Sequence, residues 1–139
     1  MIPSLIFNID TTTIDCESPF DEVTIPGTTI LSPNYPNSYG NYKECQLMIK
    51  FATNAIVSLT FEDFNVEVDS SCDYDYLALH DGNSISSPII GTKLCGTIPA
   101  GTTMNSTGNV ITLHFYSDDT VTATGFKVYA DSILGNWTF

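Results

Sequence analysis

Asn109-Val-Ile-Thr-Leu-His-Phe-Tyr116 decides the fold class. Ile111, Leu113 and Phe115 share one parity, while Thr112 and His114 take the other. Alternate residues of a strand line one face, so this stretch reads as a half-buried strand. Cys45–Phe51 repeats the pattern with Leu47, Ile49 and Phe51. Ala55–Phe64, Asp73–His80 and Gly125–Ile133 are further runs rich in β-branched and aromatic residues, and Thr28–Ser32 is a shorter one. Turn residues separate them: residues 32–37 are Ser-Pro-Asn-Tyr-Pro-Asn, and Asp81-Gly82 is a hairpin-type dipeptide. No helical period of useful length appears. The expected fold is all-β, an antiparallel β-sandwich.

The chain has 139 residues, enough for one core. Sixteen acids face four lysines and no arginine, for a net charge of −12. Phosphate backbones and anionic lipid both require a basic face, so neither nucleic acid nor an anionic lipid surface is an expected partner. A metal cation, or a protein offering Lys or Arg, is the natural counter-charge. No apolar run approaches the ~18 residues of a membrane span. The four cysteines, Cys16, Cys45, Cys72 and Cys95, contain no close pair of the zinc or redox type. Their wide spacing fits two disulfides and an oxidising, secreted setting, with three connectivities open. Two sequons, at Asn105 and Asn136, agree with that setting.

The ends differ from the body. Met1 to Asp10 lacks the basic region of a signal peptide and carries Ile2, Leu5, Phe7 and Ile9. Residues 1–15 are therefore expected to be an arm, 16–131 the domain and 132–139 an apolar tail.

Enzyme signatures are weak. His80 and His114 are the only histidines, both read as outward strand residues, and no Gly-x-Ser-x-Gly run or phosphate-cradling glycine loop is present. A pair such as Asp73 and Asp75 lacks an evident cleft for glycoside hydrolysis. The expectation is a non-enzymatic protein.

Several runs recur in a fixed order. Cys16 is followed by Ile30-Leu-Ser-Pro-Asn-Tyr-Pro-Asn-Ser-Tyr39, Cys45, Phe61-Glu-Asp-Phe-Asn-Val-Glu67, Cys72-Asp-Tyr-Asp-Tyr-Leu77, Asp81-Gly82, Leu94-Cys-Gly96, Phe115-Tyr-Ser-Asp118 and Gly125-Phe126. This order resembles a CUB domain from about Cys16 to Ala130. Leu47 stands where many members carry Trp. The resemblance implies a jelly-roll-like sandwich used for protein contacts, with disulfides Cys16–Cys45 and Cys72–Cys95. Each would contribute about 3–4 kcal/mol in the chain-entropy account. It also implies a Ca2+ site at Glu67, Asp75 and Asp118, with backbone carbonyls near Thr120 and Val121. In such members a partner's Lys or Arg pairs with the metal-ligating acids.

Charge considerations lead to the same residues. Seven acids crowd residues 62–81, and Asp75 shares parity with Leu77 and Leu79, so it leans toward an apolar side. Two carboxylates about 4 Å apart repel by about 4 kcal/mol at an effective dielectric of about 20, and a hard dication removes that cost. An EF-hand is excluded, because Tyr74 stands where the loop from Asp69 needs its glycine. A solvated acidic rim is the plainer reading of such crowding.

The expected function is an extracellular calcium-binding module for protein–protein contact. Glu67, Asp75 and Asp118 would attract the cationic partner, Glu62, Asp63 and Asp119 would supplement the patch, and Tyr35 and Tyr39 would be exposed contacts in the proline loop. One alternative is self-association of a structural subunit through residues 1–15 and 132–139. Another is glycan binding by exposed tyrosines.

Overall fold

The computed structural model describes residues 10–18 and 21–134. Ten strands make up its regular structure: β1 (Asp10–Thr13), β2 (Glu22–Val23), β3 (Thr28–Leu31), β4 (Glu44–Lys50), β5 (Ala55–Val66), β6 (Tyr76–His80), β7 (Gly96–Thr97), β8 (Thr102–Asn105), β9 (Val110–Tyr116) and β10 (Gly125–Leu134). They form two packed sheets. One has the order β1-β3-β10-β5-β7, with β8 also pairing β5; the other has the order β2-β4-β9-β6. The sandwich is as the alternation predicts. Ile111, Leu113 and Phe115 from β9 meet Leu47 and Ile49 from β4, and Val57, Leu59, Phe61, Phe126 and Val128 face them from the other sheet, all buried. Full burial of such a side chain stabilises by roughly 1.5–3 kcal/mol.

Two pairings depart from the antiparallel expectation. β1 runs parallel to β3, and β2 runs parallel to β4. Each is a short edge strand, contributed by the segment around Cys16 that passes from one sheet to the other, and the Cys16–Cys45 disulfide ties that segment to the start of β4. The second disulfide is Cys72–Cys95. Asp81-Gly82 turns the chain without opening a regular hairpin. The return segment pairs with β6 through isolated bridges, Leu77 with Leu94 and His80 with Ile89, and not through a continuous ladder. Asp73 to Asp75 precede β6 instead of belonging to it, because Asp75 turns inward to accept side-chain and backbone hydrogen bonds.

Sheet pairing reaches past the expected body at both ends. Residues 10–13 of the arm pair with β3, and β10 continues through residues 132–134 alongside β5. The remainder of the arm, residues 1–9, and Asn136 with the rest of the tail lie outside the described residues. Among the described residues no helix is long and apolar enough to cross a membrane.

The strand directions gather three connections at one end of the sandwich, residues 32–43, 67–75 and 117–124, and residues 14–18 leave β1 at the same end. Glu67 directly follows β5, Asp75 directly precedes β6, and Asp118 lies two residues past β9. Gly125 locks this end. Its φ is 89°, in the left-handed region that favours glycine, and a Cβ there would overlap Ser32 Oγ. Ser32 Oγ in turn accepts the Phe126 N–H at 2.9 Å, which seats the 117–124 connection against the proline loop.

Candidate metal centre

Glu67, Asp75 and Asp118 each offer a carboxylate oxygen, and these atoms lie within 4.8 Å of one another. Asp75 is fully buried, as its parity with Leu77 and Leu79 predicts. Both its oxygens have donors: Tyr39 Oη donates to Oδ2 at 2.6 Å and the Asp118 backbone N–H donates to Oδ1 at 2.8 Å. Glu67 is half-buried. Its backbone N–H donates to Tyr39 Oη at 3.1 Å, and its Oε2 is shielded from solvent without a hydrogen-bond partner among the described residues. The Thr120 backbone N–H donates to Asp118 Oδ1 at 3.3 Å, and the Asp118 carbonyl accepts the Tyr42 N–H at 2.9 Å.

Burial raises the affinity of Glu67 for a proton, and the charges of Asp75 and then Asp118 raise it further. Burial also pushes Asp75 upward, against the Tyr39 and Asp118 hydrogen bonds, which favour its charged form. The Tyr39 phenol is raised as well, first by burial and then by its bond to Asp75.

Three converging carboxylates, one of them holding a buried oxygen without a donor, form an arrangement that costs free energy as it stands. The donor set is oxygen alone, with neither imidazole nor thiolate, which suits a hard cation such as calcium and not zinc. Thr120 and Val121 occupy the turn after Asp118, and Val121 adopts a left-handed φ of 55°. The residues present fit the group.

Other expected site residues fall elsewhere. Tyr39 is not an exposed contact: it is 1% exposed, its ring packs edge-to-face on Phe115 at a centroid distance of 4.9 Å, and no partner can reach it. The proline loop folds over the end of the sandwich and drives Tyr39 inward, because its hydroxyl finds Asp75 there. Its role is to orient Asp75 and Glu67. The sequence signal for it was only that a buried tyrosine needs a polar partner. Tyr35 is half-buried and donates to Asp63 Oδ2 at 2.7 Å, a bond that pushes its phenol up to about 12. Glu62 pairs with Lys127 at 3.4 Å. Glu62 and Asp63 are thus engaged beside β10 and stand apart from the three-carboxylate cluster, while Asp119 is exposed next to it. His114 approaches Glu44 at 3.1 Å, and His80 Nδ1 lies 2.9 Å from the Ser87 carbonyl, both on the outer side of β6 and β9.

Comparison with known proteins agrees with this architecture. A family model described as CUB domain matches residues 16–129. Cubilin of Rattus norvegicus is 41% identical over 106 residues, which is 75% of this chain and 3% of that protein. Tolloid-like protein 1 of Homo sapiens is 42% identical over 97 residues, 70% of this chain and 9% of that protein. The chain therefore spans a small fraction of these relatives. Among solved structures, the full extracellular region of zebrafish Gpr126/Adgrg6 superposes with a TM-score of 0.73 at 33% identity, covering 84% of this chain and 15% of that one. The MASP-1 CUB2 domain bound to Ca2+ superposes with a TM-score of 0.69 at 27% identity, covering 82% of this chain and 99% of that one. With the sandwich, both disulfides and the ordered motifs all in place over the matched region, the chain belongs to the CUB domain family.

Proposed function

We propose that this chain is an extracellular, non-catalytic interaction module whose loop end binds calcium and docks a cationic side chain of a protein partner. The observation that carries the reading is Glu67 Oε2, a buried carboxylate oxygen without a donor, held beside the carboxylates of Asp75 and Asp118. Glu67, Asp75 and Asp118 would hold the ion, with backbone carbonyls near Thr120 and Val121 completing its shell. The bound ion would neutralise carboxylates that otherwise repel one another. The MASP-1 CUB2 domain described as bound to Ca2+ supports the assignment, since this chain covers nearly all of it. Two disulfides and the likeness to an extracellular region support the location. Pairing of residues 10–13 with β3 of the same chain favours an interaction module over assembly through the arm.

Pinning the connections at this end leaves little ordering entropy to lose when a partner docks. Calorimetric titration of the full chain with calcium tests the reading. Binding is expected in the native chain, and Asp118→Ala should lower both calcium affinity and retention of a lysine-presenting partner. Equal partner binding in calcium and in chelator would refute it.

A further inference from the structure

The two histidines of the chain meet on the outer face of one sheet. β6 and β9 pair with Ala78 opposite His114 and Thr112 opposite His80, so the two imidazoles stand diagonally across the pair on the same side. Their ring centroids are 6.3 Å apart, with the planes inclined at 43°. Tyr76 meets the His114 ring edge-to-face at 5.7 Å.

Each ring is also held by a group that only accepts. His80 Nδ1 lies 2.9 Å from the Ser87 carbonyl oxygen, and His114 Nε2 lies 3.1 Å from Glu44 Oε1. A carbonyl and an ionised carboxylate have no proton to give, so the neutral imidazoles carry theirs at those two nitrogens. The other nitrogens, His80 Nε2 and His114 Nδ1, are then lone-pair atoms, and neither has a hydrogen-bond donor among the described residues. Metal-ligating histidines are built in this way: one ring nitrogen donates to a carbonyl or carboxylate, which fixes the ring and leaves the other nitrogen basic.

We infer that His80 and His114 form a two-imidazole site for a divalent transition metal of the zinc and copper class on the outer face of β6 and β9. A nitrogen–metal bond of about 2.0–2.1 Å puts an ion roughly 3.2 Å from each ring centroid, so two rings sharing one ion stand at most about 6.4 Å apart. The observed 6.3 Å lies at that limit. Side-chain rotation toward each other brings the rings to the ~5 Å of a tetrahedral centre, with water completing the shell. Glu44 adds a negative charge beside the pair. Imidazole nitrogen selects zinc, copper or nickel over calcium, whose shell is oxygen. Neither histidine belongs to the three-carboxylate cluster, so this site stands independently of the calcium reading.

The test is titration of the full chain with zinc in an excess of calcium, read by calorimetry and by the nitrogen chemical shifts of both imidazoles. Before zinc is added, the shifts should place the protons on His80 Nδ1 and His114 Nε2. Zinc is expected to bind and to move His80 Nε2 and His114 Nδ1, and His80→Gln or His114→Gln should each weaken binding by about tenfold or more. Displacement of zinc by calcium, or binding without shifts at both rings, puts the ion elsewhere and overturns the inference. Undiminished affinity in either glutamine variant overturns it, as does the absence of binding at about 1 mM zinc. The ring shifts are read on the native chain, so the outcome does not depend on how the variants fold.

Discussion

The phenol of Tyr39 donates a 2.6 Å hydrogen bond to Oδ2 of Asp75 inside the sandwich, across 36 positions of sequence. The Tyr39 hydroxyl oxygen also accepts the Glu67 N–H at 3.1 Å, so one buried side chain positions two of the three clustered acids. Tyr39→Phe keeps the ring against Phe115 and deletes only the hydroxyl. It should cost about 1–3 kcal/mol in urea unfolding, because a buried carboxylate oxygen loses its donor. As a residue outside the cluster that orients its members, it should also lower calcium affinity by about 10–100-fold. Retained calcium affinity would show that Asp75 does not depend on this bond for its orientation.

Glu67→Gln should change sign with calcium. In chelator the substitution removes a charge that burial and two neighbouring acids oppose, so the urea midpoint should rise. In calcium it removes a ligand, so calcium affinity should fall by more than in Tyr39→Phe and the added stability from calcium should shrink. Paired unfolding curves in both conditions check this. A lowered midpoint in chelator contradicts it.

The pH response follows the same logic. Glu67 and Asp75 both hold protons above their ordinary values of 4.5 and 3.8. The folded state in chelator then binds more protons than the unfolded one, so these two groups reduce stability as pH rises through their folded values and cease to do so below their unfolded ones. Acidification from neutrality toward those values should therefore stabilise the chelated protein through these groups, while lowering calcium affinity as protons compete for the same oxygens. Glu67→Gln measured in parallel isolates the contribution. An unchanged calcium affinity between pH 7 and pH 5 counts against the site.

The Cys72–Cys95 disulfide holds the connection that carries Glu67 and Asp75 at its two ends. Replacing both cysteines with alanine should cost about 3 kcal/mol and weaken calcium binding, since the connection regains conformational freedom. Unfolding and calorimetry on the double variant read both effects.

Asn105 ends β8 with an exposed side chain, and the neighbouring Ser106 is buried, donating to the Gly108 carbonyl at 2.6 Å. A glycan there would project from an edge strand and shield it from strand addition. Protein made in a secretory host should lose mass on enzymatic deglycosylation, and Asn105→Gln should abolish that loss. An identical mass for both forms removes Asn105 as an attachment site.

The strands carrying the core were legible because burial on one face imposes a period of two. Leu47, Ile49 and Phe51 and then Ile111, Leu113 and Phe115 show it unmistakably. The short edge strands β2, β7 and β8 were not, since two to four residues are too few to carry a period and are strands only by virtue of a neighbour. Asp75 was readable from its parity with Leu77. The burial of Tyr39 is not legible locally, because its neighbours Pro36, Asn37 and Ser38 mark a surface loop, and only Asp75, far along the chain, gives its hydroxyl a reason to be inside.

The sequence by itself determined the sandwich, the presence of two disulfides and which acids are candidates, because periodicity, cysteine spacing and motif order are local properties of the chain. Tertiary structure decided that Glu67, Asp75 and Asp118 converge within 4.8 Å and that the buried Tyr39 hydroxyl serves Asp75 and Glu67. Those relations depend on which loops share one end of the sandwich, and strand order across two sheets, not any stretch of residues, sets that.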